Sequence, residues 1–101
     1  MKALIAVMLL ACFIAPVHAH KVVGGVYAIG SLIEGEAGFS NGDMAHEGTV
    51  VTITDAQNQP LGTSVIDVQG MFQFQATQQQ DHHFHIELGA GHVLNMTLPA
   101  N

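Results

Sequence analysis

Asp67-Val68-Gln69-Gly70-Met71-Phe72-Gln73-Phe74-Gln75 is the stretch whose reading decides the fold. An aspartate and a glycine three positions apart suit a tight turn: the carboxylate accepts backbone N–H groups and the glycine tolerates positive φ. The residues after the turn alternate. Phe72 and Phe74 point one way, Gln73 and Gln75 the other, the period-two signature of a half-buried strand. The preceding run, Leu61–Val68, reads as the strand that feeds this turn, so the pair is expected to form a hairpin.

The same grammar extends in both directions. Upstream, Asp55–Pro60 is a polar loop, and Thr49–Thr54 is a β-branched strand with Val51 and Ile53 inward. Ser40-Asn41-Gly42-Asp43 is a turn. Leu32–Phe39 is a strand with Ile33, Ala37 and Phe39 on one face and Glu34 and Glu36 on the other, and Val22–Ile29 is extended. Downstream, Ala76–Asp81 is a glutamine-rich loop. His82–Leu88 and His92–Leu98 form a last pair joined by Gly89-Ala90-Gly91. No sustained helical period occurs after residue 19. Seven short strands with frequent turns predict an all-β fold, a small antiparallel β-sandwich of the transthyretin-like or immunoglobulin-like kind.

Residues 1–19 obey a different grammar. Lys2 precedes an apolar run from Ala3 to Ala15, Pro16 breaks it, and Val17 and Ala19 are the small residues of a cleavage site. That order predicts a signal peptide, with cleavage before His20 and a single domain over 20–101. The run is shorter than the roughly 20 residues needed to span a bilayer, so no membrane span is expected after cleavage. Leu9-Leu10-Ala11-Cys12 loosely resembles a lipidation box. Cys12 is the one cysteine, so the exported domain carries no disulfide, and the expected location is the periplasm or the exterior.

From His20 onward, Lys21 is the single basic side chain against eight carboxylates, a formal charge of −7. Such a surface excludes nucleic acid and favours cations. Six histidines accompany it: His20, His46, His82, His83, His85 and His92. Strand parity places His82 with Phe84, Ile86 and Leu88 on the core face, and His83, His85 and Glu87 on the other. Successive outward imidazoles about 6–7 Å apart can converge on one ion, with Glu87 as a third ligand or a hydrogen-bond acceptor that orients a histidine. The alternative is a solvated polar face. His92 comes directly after Gly-Ala-Gly and is either a ligand aimed from a turn or a hairpin cap. As the first residue of the exported chain, His20 would offer an α-amine beside its own imidazole, a nitrogen chelate suited to nickel or copper. His46 falls in a loop. Met96 fits the core parity of its strand, and the dispersed methionines do not form a methionine-rich copper site.

Catalytic signatures are missing. Ser31, Ser40 and Ser64 lie in no nucleophile elbow, and no phosphate loop or H-E-x-x-H motif occurs, so the chain is not expected to be an enzyme.

Three segments in succession are similar to the carboxypeptidase regulatory-like (transthyretin-like) β-sandwich: Gly48–Asp55, Asn58–Thr63, and Asp67–Phe74 in the pattern D-x-x-G-x-F-x-F. A narrower likeness joins the N-terminal His20, the segment Phe39-Ser40-Asn41-Gly42-Asp43-Met44-Ala45, and Gly89-Ala90-Gly91-His92. Together these resemble the small exported accessory subunit of nickel/cobalt uptake transporters of the energy-coupling-factor type. The resemblance implies capture of nickel or cobalt beside a membrane-embedded transporter. His20, His83, His85 and His92 are the candidate ligands, and copper or zinc is chemically admissible at nitrogen donors. The competing expectations are a structural or interaction module without metal, since fold does not dictate function, and a periplasmic copper-binding protein.

Overall fold

The computed structural model describes residues 21–101. The expected signal segment and His20 lie outside the described residues. The described residues form seven strands: β1 Val22–Ile29, β2 Leu32–Phe39, β3 Val50–Thr54, β4 Pro60–Val65, β5 Met71–Gln75, β6 His82–Gly89 and β7 His92–Leu98. They make two sheets, one in the order β1-β2-β5 and one in the order β4-β3-β6-β7, with every pairing antiparallel.

The inward residues of the two sheets form one core. Ile33 and Ala37 from β2 and Phe72 from β5 meet Val51 and Ile53 from β3, Phe84 and Ile86 from β6, and Leu94 from β7. Phe72 and Phe84 carry the contact between the layers, with ring centroids 5.6 Å apart. Gly35 makes room for this: a Cβ there would lie 2.6 Å from Cε1 of Phe72. A glycine in mid-strand weakens the strand, and here it lets the large ring of a neighbouring strand lie across β2.

The expected hairpin at Asp67–Gly70 is corrected by the topology. The turn is tight: the Asp67 N–H donates to Met71 O at 2.8 Å and the Gly70 N–H to Asp67 O at 3.0 Å, with Gly70 at φ +80°. Yet β4 and β5 belong to different sheets. Beyond the turn, the Gly70 carbonyl accepts from the Ala37 N–H at 3.0 Å, and Met71 pairs with Glu36 on β2. The turn residues therefore serve an arch that carries the chain across the core. Asp67 organises it, its Oδ1 accepting from the N–H of Gln69 at 2.8 Å and of Met71 at 3.0 Å. Asp67→Ala removes the acceptor of both bonds and is expected to cost about 1 kcal/mol, whereas Asp67→Asn keeps an oxygen there and should cost less. Urea unfolding of the two variants checks the order.

The limits of β3 and β4 also differ from expectation. β3 begins at Val50 because Thr49 closes a turn, its hydroxyl donating to His46 O at 2.7 Å. β4 begins at Pro60 and ends at Val65. A proline is tolerated there because β4 is a sheet edge and Pro60 its first residue.

Candidate functional site

Each candidate histidine gets its direction from strand parity. β6 alternates as expected: His82, Phe84 and Ile86 are buried, while His83 is half-buried and His85 and Glu87 are exposed on the outer face of the four-stranded sheet. β7 supplies hydrogen-bond partners across the ladder. His83 pairs with Thr97 and His85 with Asn95. His83 Nδ1 lies 2.9 Å from Thr97 Oγ1, and His85 Nδ1 lies 2.8 Å from Asn95 Oδ1. An amide oxygen only accepts, so His85 Nδ1 carries the proton and Nε2 is turned away from β7. That Nε2 lies 3.6 Å from Glu87 Oε2. Two donors at bond lengths of about 2.0–2.2 Å to one ion are separated by roughly 3–3.5 Å, so His85 and Glu87 are close to the spacing a shared cation needs. Thr52 and Thr54 complete a shallow outer hollow with His83, His85, Asn95 and Thr97.

His92 is elsewhere. It shares the inward side of β7 with buried Leu94, and its ring meets Phe39 edge-on at 5.4 Å. Its Nδ1 lies 3.1 Å from Gly89 O. A carbonyl only accepts, so Nδ1–H donates and the neutral ring leaves Nε2 as a free lone pair. The hairpin needs left-handed backbone at three successive residues, with φ +91° at Gly89, +52° at Ala90 and +80° at Gly91, and this conformation brings the Gly89 carbonyl to the imidazole.

The structure thus divides the described candidate ligands between two places. His83 and His85 share the outer face, and His92 lies at the end of the sandwich beside Phe39. His20 lies outside the described residues, but the residue after it is held at the His92 end. The Lys21 N–H donates to Ser40 Oγ at 3.1 Å, the Ser40 N–H donates to Lys21 O at 2.8 Å, and Val22 pairs with Phe39. His46 is exposed in the loop between β2 and β3. Among the described residues no three His, Cys, Asp or Glu side chains are grouped to hold a metal ion. Nor, among them, is any helix long and apolar enough to cross a membrane.

The outer face of the three-stranded sheet carries a tyrosine–carboxylate pair that shifts both groups. Tyr27 Oη donates to Glu34 Oε1 at 2.7 Å and Gln73 Nε2 donates to Oε2 at 2.8 Å. These bonds hold the Glu34 carboxyl below the usual carboxylate range, Tyr27 contributing most and Gln73 next. The same Tyr27–Glu34 bond raises the tyrosine above its ordinary value. A depressed acid stabilises the fold above its unfolded pKa and loses that contribution as pH falls through the folded value. For Tyr27 the contribution is present below the ordinary tyrosine range and is lost as pH rises through the raised value. Tyr27→Phe is expected to move Glu34 back toward the ordinary range, as read by carboxyl-carbon NMR titration; an unmoved Glu34 refutes the assignment.

His82 is the residue that sequence reasoning undervalued. Its parity marked it as core, and it is core, only 4% exposed. The available clue was a polar side chain in an otherwise apolar row.

Compared with known proteins, the chain matches no family model, no curated protein and no solved structure.

Proposed function

We propose that this is an exported metal-binding accessory domain that captures a nickel or cobalt ion and passes it to a membrane transporter. One observation carries the reading. His92 has its Nδ1 tied to the Gly89 carbonyl and its Nε2 left as a lone pair, at the end of the sandwich where Lys21 is clamped to Ser40. A backbone acceptor behind a histidine is the usual device for presenting the other nitrogen to a metal. His92 supplies one imidazole at this point, and the remaining donors would be the amine and imidazole of His20. All-nitrogen ligation suits nickel, cobalt and copper better than calcium or magnesium. The His85–Glu87 pair is a second, more exposed landing point on the same acidic domain, suited to a transient ion.

Cargo must be released, and neutral nitrogen donors permit release because protons compete for them as pH falls through the histidine range. The test is calorimetric titration of the chain beginning at His20 with Ni²⁺, Co²⁺, Cu²⁺ and Zn²⁺. Millimolar binding alone for all four ends the reading. Tighter binding of Cu²⁺ than of Ni²⁺ reflects intrinsic ligand preference and does not choose the biological cargo.

An interaction module is the second reading, and a specific observation favours it. Val50, Val65 and Val93 are all exposed. They flank Glu87 in one row across the four-stranded sheet, through the pairs Val50–Val65 and Glu87–Val93. Under that reading, histidine variants leave every function of the domain unchanged.

A further inference from the structure

We propose that the end of the sandwich opposite His92 binds a small, uncharged molecule bearing a hydrogen-bond donor and acceptor, held by His82. His82 opens β6, seven residues from Gly89 and so roughly 23 Å from the His92 turn by strand rise. Its ring lies between Phe74, edge-on at 6.1 Å, and Phe84, stacked at 6.3 Å. Among the described residues no hydrogen bond reaches either ring nitrogen. Yet among the described residues no buried side-chain nitrogen or oxygen is both sealed from solvent and unpartnered. The little open surface that His82 retains therefore includes its nitrogens, and His82 lines a cavity of about 210 Å³.

That cavity has built walls. Ile33 and Leu98 form an apolar side, and Ser31 and the Gln78–Gln80 loop a polar one. The Ala76 N–H donates to Ser31 O at 2.9 Å, and Gln75 Nε2 donates to Ser31 Oγ at 2.6 Å, which ties the loop to the β1–β2 turn. The Ala100 N–H donates to Asp81 Oδ1 at 2.9 Å, folding the C-terminal segment alongside. No side chain in the lining is a carboxylate, lysine or arginine. A charged guest would find no counter-charged side chain there, which favours a neutral one. The volume equals roughly seven waters at about 30 Å³ each and falls below the roughly 300–1,000 Å³ of drug-sized pockets. A neutral imidazole offers one donor and one acceptor, matched by a compact amide or alcohol with an apolar flank for Ile33 and Leu98.

The experiment is an NMR titration of the ¹⁵N-labelled chain from His20, with a chelator present, using δ-valerolactam, benzamide and cyclohexanol as probes. At least one probe is expected to give saturable shifts at the His82 ring nitrogens and at the amides of Ser31, Ala76 and Leu98, while His92 stays silent. His82→Phe keeps an aromatic ring in place and removes both nitrogens; it is expected to weaken that probe roughly tenfold. Ala28→Leu, at the exposed cavity wall, is expected to weaken it by steric filling and serves if the first variant does not fold. No saturation by any probe up to about 50 mM, or undiminished binding by His82→Phe, overturns the proposal. The chelator keeps this outcome separate from metal binding at the other end.

Discussion

Phe72→Ala is expected to lower unfolding free energy by about 3–5 kcal/mol, enough to take most of the stability of a domain of this size. Small domains have total stabilities toward the low end of about 5–15 kcal/mol, and this one has no disulfide to constrain its unfolded chain. Phe72 is 2% exposed and meets Phe84 across the two sheets. Truncation removes the apolar transfer contribution and leaves a cavity between layers that both depend on it. Collapse into that cavity is hindered, because Gly35 beneath the ring has no side chain to fill the space. Val68→Ala is the control. Val68 is 78% exposed at the arch, and its loss should stay within about 0.5 kcal/mol. Urea unfolding followed by far-UV circular dichroism reads both. A Phe72→Ala midpoint matching that of the Val68 control means that the inter-sheet contact does not hold the fold.

Much of this architecture was legible because it is local. Phe72 and Phe74 alternate with glutamines, Val51 and Ile53 alternate with threonines, and parity alone placed His82 inside and His83 and His85 outside. Asp67 and Gly70 announced a turn, and a turn is there. Its partnership was not legible. Whether a tight turn closes a hairpin or an arch depends on which strand receives the outgoing residues, and here Glu36, far away in sequence, receives Met71. The candidate site was hidden for the same reason. In the sequence His92 reads as either a ligand aimed from a turn or a hairpin cap, and neither reading sets it against the opposite sheet. The register shifts between Glu87 and Gly89, and inward parity then carries His92 to Phe39 on the other sheet. The His82 cavity needs the 76–81 loop, the β1–β2 turn and the C-terminus to converge, which no periodicity encodes.

His92→Ala is expected to weaken nickel binding by the chain from His20 at least about 100-fold, since losing a ligand should cost no less than the roughly 10–100-fold for losing a partner that orients one. The reason is donor supply. Among the described residues it belongs to no group of three metal-binding side chains, so its loss would leave the proposed site with the amine and imidazole of His20. Histidine there is also presented in a fixed tautomer by Gly89 O, and an untethered imidazole cannot replace that preorganisation. His85→Ala is the informative contrast. Its Nε2 faces Glu87 on an exposed surface, so its loss should remove at most a weak, salt-sensitive second event in the titration. Gly91→Ala tests the scaffold itself. It adds a Cβ at φ +80° with open space around it, so it strains the hairpin without touching the imidazole, and it should weaken nickel by displacing the Gly89 carbonyl from His92. Equal affinities for the parent, His92→Ala and Gly91→Ala would place the ion somewhere other than this end of the sandwich. A large loss on His85→Ala alone would move it to the outer face.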